Sequence, residues 1–419
     1  MGAGLEFGRD PIRLLRRCRA EHGPAVALLL AGTRTVFLLD PRDYGLMFKK
    51  PKQLAFDPIS ERIGVRAFGY TRGDLALVDA EVINGLFKPM LKGDALARLG
   101  HAMRRALDRW SEQAIGTAWR DVDLYALVAD AVFRAGSRAL FGDGFPDAQV
   151  RPSVDRIDEN FRLLAMGVPA AVMPGCRHAQ AELGRLCDHA GPGAADLIQA
   201  RRARFDEVGL SPRGRGLMQG ALSWAAQANT MPGVFWGVAH LLAHREAGRA
   251  VRAELASRVD DRPLTQSAIS ESLRLSAAPT PTRQVEEDVT LSLHDGTEVS
   301  LVRGEMLSIY PALTHFDPEV FPDPDRYVFD RFVERDGKAL RMEKGGVPLK
   351  HGYLPFGGGV SVCPGRHFAR QEVELMIELL LGRCEIEVVE DRLPGFGASR
   401  VGLGVLAPDG PYRVRVRMR

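Results

Sequence analysis

A mainly α fold with a smaller β region is predicted by three features of this sequence. A helical period dominates from about residue 86 to 250, in stretches rich in Ala, Leu and Arg. Inside it runs one segment of roughly thirty residues, apolar on most faces and long for a globular helix, which places it at the centre of the molecule. Short β-branched runs flank the helical part, in about 24–70, 284–311 and 385–419.

Taken in order, residues 24–40 (PAVALLLAGTRTVFLLD) read as two strands about a Gly-Thr turn. The central segment starts at Ser211-Pro212, a cap followed by a proline suited to the first helical position, and continues to about His244. A short helix from Leu264 to Leu275 comes next. Hairpin-like strands over 289–311 follow, joined by His294-Asp295-Gly296, and then an irregular stretch rich in Pro and Asp (DPEVFPDPDRY, 317–327). The glycines at 357–359 lead to a helix from Pro364 to Leu381, and the chain ends as strand in RVRVRM. No internal repeat or low-complexity linker interrupts the chain, so one domain over residues 1–419 is expected. That exceeds the usual size of a single core, and a large buried cofactor would account for it.

Composition narrows the class. Apolar residues make up 45% and charged residues 26%, so a packed core is expected, and a formal charge of only +3 argues against nucleic acid as a partner. The cysteines (Cys18, Cys176, Cys187, Cys363, Cys384) are odd in number and lack CxxC spacing, which fits a reducing compartment. Arg9, Arg13, Arg16 and Arg17 arrive early, and the apolar run Ala25 to Leu30 is too short to span a bilayer. Glu6 stands where a myristoylation signal needs Ser or Thr. A soluble, cytoplasmic, monomeric protein without a membrane anchor is expected.

The chemistry concentrates in FGGGVSVCPGR (356–366). A thiolate metal ligand must lose its proton, and the N–H groups at a helix start favour that loss. Cys363 precedes such a start, Pro364 suits a first turn because it lacks an N–H, and Gly365 allows close approach of the chain. The glycines at 357–359 permit a tight turn beneath a flat macrocycle, against which Phe356 would pack. Taken alone, the loop also fits a buried structural cysteine.

The whole segment resembles the FxxGxxxCxG cysteine loop of the cytochrome P-450 superfamily, whose haem iron is held by a cysteine thiolate. Other marks of that family occur in order. Glu271-Ser-Leu-Arg274 resembles its ExxR pair, and FDRF (329–332) stands where its PERF sequence lies, so Arg331 would join Glu271 and Arg274 in a structural cluster. The resemblance implies the cytochrome P-450 fold, a haem b with Cys363 as axial ligand, and a propionate contact from Arg283. Lys88 is a further candidate contact. The basic residue that the family often carries two before the cysteine is replaced by Ser361.

In most of the family the central helix bears an acid followed by a threonine that help deliver protons to bound dioxygen. Aligned on that pattern, Ala228 replaces the acid and Asn229 the threonine. Pro232 has no N–H, so the Ala228 carbonyl loses its helical partner and the helix is expected to bend there. AAQANTMPGVFW, ESLRLSAAPTPTR, EVINGLFKPMLKGDALARL and SRVGLGVLAP resemble the cholesterol 7α-hydroxylase, sterol 12α-hydroxylase and prostacyclin synthase group. Composition points to a bacterial member.

That group contains hydroxylases and isomerases. The resemblance implies a monooxygenase that hydroxylates a large apolar substrate, a steroid or sterol-like compound, using dioxygen and electrons. The donor expected is a ferredoxin with its reductase, or a flavodoxin-type protein. An isomerase of a peroxide substrate, needing no reductant, is the alternative, and a non-enzymatic haem protein a more distant one. Four segments should line the pocket: Ile63 to Tyr70, Trp224 to Asn229 (with Trp224 and Ala225), Ser276 to Thr282 (with Ser276 and Ala278), and Val401 to Leu406 (with Leu403). Lys88, Lys92, Arg366 and Arg370 would form a basic face able to steer an acidic redox partner.

Overall fold

The computed structural model describes residues 2–257, 261–334 and 340–419. The fold is mainly α with a smaller β region, and the chain clusters into two compact units, each assembled from three stretches.

The first unit comprises Met1–Ile59, Asp260–Cys363 and Gly395–Asp409. Its strands are β1 (Ala25–Leu30), β2 (Thr33–Leu38) and β3 (Leu54–Ala55). In the other unit lies β4 (Arg120–Asp123). The first unit continues with β5 (Thr282–Val285), β6 (Val289–Ser292), β7 (Glu298–Leu301), β8 (Met306–Ile309), β9 (Glu343–Lys344) and β10 (Val347–Pro348). One sheet runs in the order β1-β2-β8-β5-β3, with β2 and β8 parallel and the other pairs antiparallel. Its core is aliphatic: Val36, Leu38, Leu54, Val285, Leu307 and Ile309 are buried together. The expected 289–311 hairpin exists only in β6 and β7, turning at Gly296 with φ +87°; β8 leaves it to join the main sheet. The Pro263–Ser276 helix of this unit is buried along most of its length.

The second unit comprises Ser60–Val259, Pro364–Pro394 and Gly410–Arg419. It holds the long helices and a three-stranded sheet in which β12 (Arg413–Met418) lies between β11 (Cys384–Val388) and β4. The Leu124–Phe141 helix is capped by Asp123, whose side chain accepts from the Ala126 N–H, and it buries Val128, Val132 and Phe133. The Pro212–Gln227 helix is capped by Ser211, which accepts from the Gly214 N–H at 3.0 Å, with Pro212 in the first turn as read from the sequence.

Three boundaries differ from the sequence reading. Residues 57–68, expected within a β region that reached to about residue 70, are helical: Asp57–Ile63 is an α-helix and Gly64–Phe68 a wide turn of helix. Asp57-Pro58 is a first-turn pair, and its signal outweighs the apolar residues around it. The helix after the cysteine runs Arg366–Ile377, not from Pro364 to Leu381, because helical bonding starts only with the Ala369 N–H on the Gly365 carbonyl. Residues Glu378–Gly382 widen into a π turn. The segment between β11 and β12 is mostly irregular, with isolated bridges such as Phe396–Pro408. No helix among the described residues is long and apolar enough to cross a membrane.

Candidate active site

In the first unit, the loop before Cys363 is closed by its own backbone. The Cys363 N–H donates to the Phe356 carbonyl at 3.0 Å, and Gly359–Ser361 forms a short 3-10 turn within the loop. Gly357 and Gly359 have φ of +71° and +67°, which disfavours any residue with a Cβ. A methyl group on Gly359 would also stand 2.6 Å from Phe48 Cδ1, and one on Gly358 2.8 Å from Phe48 Cζ. The glycines therefore let the loop lie on the Phe48 ring. Cys363 is half-buried, whereas the other four cysteines are buried. Burial pushes the Cys187 thiol up to about 12 and Cys384 up to about 11, and it raises Cys18 and Cys176 as well. None of those four is suited to be a thiolate.

Arg283, on β5, is 2% exposed and reaches this loop. Its guanidinium donates to Ser361 Oγ, to the Gly358 carbonyl at 3.4 Å and to the Thr282 carbonyl at 2.9 Å, and it lies over the rings of Phe48 and Phe56. Burial lowers its pKa, opposed only through space by Asp57, and no carboxylate is paired with it among the described residues. A buried guanidinium without a counter-ion is costly. An anionic group bound beside the cysteine loop would supply the missing charge, so the donor set fits a haem with its propionates. Ser361, left by the sequence reading as a lost contact, holds the arginine in place.

Glu271, Arg274 and Arg331 are brought together in the same unit. The Glu271–Arg274 pair is fully buried and two-pronged, both bonds at 2.8 Å, and Arg331 Nε adds bonds of 3.0 Å to the same carboxylate. Arg274 also donates to the carbonyls of His315, Pro324 and Arg326, which ties the Pro263–Ser276 helix to the Pro-rich stretch. Desolvation, reinforced by Arg274, lowers the His315 pKa to about 3, so that ring is neutral and accepts from the Leu354 N–H.

Two of the expected pocket segments pair through their backbones. The Ala278 N–H donates to Gly404, Leu406 to Ser276 and Thr280 to Gly402. This ladder buries Ser276 and Ala278 and leaves Leu403 half-buried. Ser276 turns its hydroxyl back onto the Ser272 carbonyl, so its side chain is a helix-end contact.

In the second unit the central helix is broken where Pro232 led one to expect a bend. Pro212–Gln227 ends, Ala228 and Asn229 form a turn, and Thr230–Ala243 begins. Pro232 falls in the first turn of the second helix, where a missing N–H is tolerated, and the Ala228 carbonyl is left without its helical donor. Thr230 Oγ1 ties across the break to the Ala226 carbonyl at 2.7 Å. Ala225 is exposed although its helix is largely buried, and Asn229 is half-buried. Trp224 stacks on Phe161 with ring centroids 4.1 Å apart, meets Phe68 at 5.4 Å, and donates to Asp158 at 2.9 Å. Phe68 belongs to the 63–70 segment, so these two expected pocket segments also come together.

Gly365 caps the Arg366–Ile377 helix with an ordinary φ of −80°. Lys88 is exposed in the last turn of the Ala80–Met90 helix. Lys92, Arg366 and Arg370 gather around His367: desolvation lowers its pKa first, and these three cations lower it further. Lys88 is not among them. Elsewhere, Asp40, Asp43 and His294 lie close enough to suggest a metal site, but Arg19 and Arg42 occupy Asp40 and the His294 ring meets Asp43.

Sequence reasoning passed over Gln227, Gly136 and Glu372, which meet in the interior of this unit. A glutamate in the RHFARQEVELMI helix reads as one more solvent charge, and nothing local marks it as buried.

Comparison with known proteins agrees with this geometry. The family model described as Cytochrome P450 matches residues 218–416. The chain is 30% identical over 467 residues to the pig protein named 5-beta-cholestane-3-alpha,7-alpha-diol 12-alpha-hydroxylase, covering 100% of this chain and 91% of that one. It is 29% identical over 451 residues to rat cytochrome P450 7A1 (97% and 90% covered) and 28% identical over 459 residues to mouse cytochrome P450 7B1 (100% and 89% covered).

Proposed function

The chain belongs to the cytochrome P450 family, monooxygenases whose haem carries an axial cysteine thiolate, and from that premise we propose that it hydroxylates a steroid or sterol-like substrate with Cys363 as the ligand. The observation that carries the ligand assignment is the closed glycine loop around a half-buried Cys363, with the uncompensated Arg283 guanidinium beside it. For the substrate, support comes from near full-length likeness to proteins named as sterol hydroxylases.

When bound, the haem supplies dioxygen activation at its iron. The chain's own residues set the conditions for it. Arg283 would anchor a propionate, held in line by Ser361 and the Gly358 carbonyl. Lys88 remains a second candidate donor, being exposed and in no ion pair among the described residues. The apolar groups on the 63–70 segment and Trp224, with exposed Ala225, would offer a flat apolar surface to the substrate and exclude water. Asn229, beside the open Ala228 carbonyl, would hold a water or hydroxyl proton where most of the family has a threonine. Glu271, Arg274 and Arg331 act on structure alone, fixing the helix and the stretch that follows it.

Lys92, Arg366 and Arg370 form the basic cluster to which an acidic ferredoxin or flavodoxin-type donor would dock. A soluble bacterial setting is consistent with such a donor.

The test is reconstitution with a ferredoxin, its reductase and NADPH, after a spectral binding screen over steroids, terpenes and fatty acids. A steroid response and product carrying one atom of labelled dioxygen are expected. Response to fatty acids alone would overturn the substrate class, and turnover of a peroxide without reductant would replace the hydroxylase reading by an isomerase one. Cys363→Ser is expected to remove the red-shifted Soret band of the ferrous carbon monoxide complex.

A further inference from the structure

A haem propionate would compensate Arg283, but the second unit buries a guanidinium of its own. Arg201, on the Asp196–Glu207 helix, is 5% exposed. Its Nε donates to Gln219 Oε1 at 3.0 Å and its Nη2 to the Met218 carbonyl at 3.1 Å, both neutral acceptors. Its Cζ lies over the rings of Phe87 and Phe205, at 5.5 and 5.1 Å from their centroids. Nη1 donates to none of the described residues, and none of their carboxylates pairs with the group. Burial lowers its pKa to about 10, so it stays charged at neutral pH. A buried cation with only neutral acceptors is costly, and an anion bound at Nη1 would offset that cost.

Tyr70 faces the same space, since it and Arg201 act on each other through space. Its N–H donates to the Gly64 carbonyl at 3.2 Å, and its ring lies on Gly64, where a methyl group would stand 2.5 Å from Cδ2. The backbone therefore holds the ring. The hydroxyl makes no hydrogen bond with a described residue, and burial keeps it protonated, able to donate. Asp74, which also acts on Tyr70, caps the Arg72–Leu77 helix and does not pair with Arg201. The walls are apolar: Ile83, Leu210 and Met218 are buried, while Leu86, Phe87 and Val208 are only half-buried.

We infer that Arg201 and Tyr70 form a subsite for a carboxylate, so that the steroid this protein takes is an acidic one, with a carboxyl group on its apolar body. The inference rests on the steroid-hydroxylase reading and narrows it. One carboxylate oxygen accepts from Arg201 Nη1 and the other from the Tyr70 hydroxyl, which uses the donors left over by Gln219 and Met218. A doubly charged phosphate would leave one charge unmatched. Tyr70 also joins this subsite to the apolar surface proposed for the steroid body: its ring centroid is 6.2 Å from that of Phe68, which lies 5.4 Å from Trp224. Arg201 is thus a specificity residue that binds substrate away from the reacting atoms.

The test is calorimetric titration of the holoenzyme, at neutral pH, with cholanic acid and with its methyl ester. The ester is the more apolar ligand, so an apolar pocket alone would favour it. Wild type is expected to bind the acid about ten- to a hundredfold more tightly than the ester, the range of charge-assisted hydrogen bonds. Arg201→Gln should bring the two affinities together by weakening the acid alone, and Tyr70→Phe should remove part of the preference. Unchanged ester binding shows that the variant's pocket is intact. If R201Q does not fold, the wild-type ratio and Y70F still decide. A wild type without preference for the acid, or an R201Q or Y70F with the wild-type ratio, overturns the inference. So does an R201Q of wild-type thermal stability that loses haem, since Arg201 would then serve the cofactor. A different result separates the two readings: if no steroid binds, while palmitic acid binds more tightly than its methyl ester and R201Q abolishes the difference, the carboxylate subsite stands and the steroid reading falls.

Discussion

Arg283 and His315 show how single buried groups set testable properties. Arg283 is held by neutral acceptors only, so its charge is compensated when an anion binds beside it. Hydrogen bonds to charged groups are worth about 1.5–3 kcal/mol, so haem should leave Arg283→Met roughly ten- to a hundredfold faster than wild type in a transfer assay to an apo-globin. R283K should fall between, since a lysine keeps charge but not the fork. His315 titrates near 6.5 when unfolded but is held to about 3 in the native state. As pH falls below 6.5 the unfolded chain takes up a proton that the folded one refuses. Stability therefore drops across the window from 6.5 to about 3, by about 1.4 kcal/mol per pH unit for one proton. Urea titrations at pH 7, 6 and 5 should show a shallower acid-side loss for His315→Gln than for wild type. The Glu271–Arg274–Arg331 cluster was legible in the sequence because its residues sit in recognisable order. Neither the Ser361 bond nor the neutral His315 was, since both arise from residues distant in the chain.

At the scale of elements, the break in the central helix is the informative feature. Its cause was readable: a proline lacks an N–H wherever it stands. Its form was not, because whether a helix bends or restarts depends on what packs around it, and here Thr230 ties across the gap to Ala226. Pro232→Ala would give the Ala228 carbonyl a donor again. The helix should close over, with a stability gain of about 1 kcal/mol in melting experiments and fewer product molecules per NADPH. Gly136→Ala tests the opposite wall: its methyl would displace the Gln227 amide, and a loss of about 1–3 kcal/mol is expected from overpacking. The start of the helix after Cys363 was misplaced for a related reason. Pro364 favours a helical first turn, but the Cys363 N–H is already committed to Phe356, which keeps the cysteine in the loop.

At the scale of the molecule, net charge conceals local charge. The chain carries only +3 overall, yet Lys92, Arg366 and Arg370 act together on one histidine. Reversing these three to Glu should slow reduction by an acidic ferredoxin and flatten its ionic-strength dependence, as read by stopped-flow. A rate and salt slope equal to wild type would remove the cluster from the docking face. Sequence composition offered no sign of the two compact units, because their boundaries at Ile59, Cys363 and Pro394 fall in stretches without linker character.

The three-stretch assembly of the first unit has a further consequence during synthesis. β1 and β2 leave the ribosome early, but β8, the parallel neighbour of β2, follows about 270 residues later. At about 5–20 residues per second this is a wait of roughly 15–50 seconds. The hairpin's open edge stays unpaired meanwhile, and the Ala277–Val405 bridge comes later still. An arrested nascent chain ending before residue 300 should therefore carry a protease-resistant Leu124–Phe141 helix but a protease-sensitive N-terminal hairpin. Translation speed and chaperone supply, more than final stability, are then expected to govern the yield of active protein.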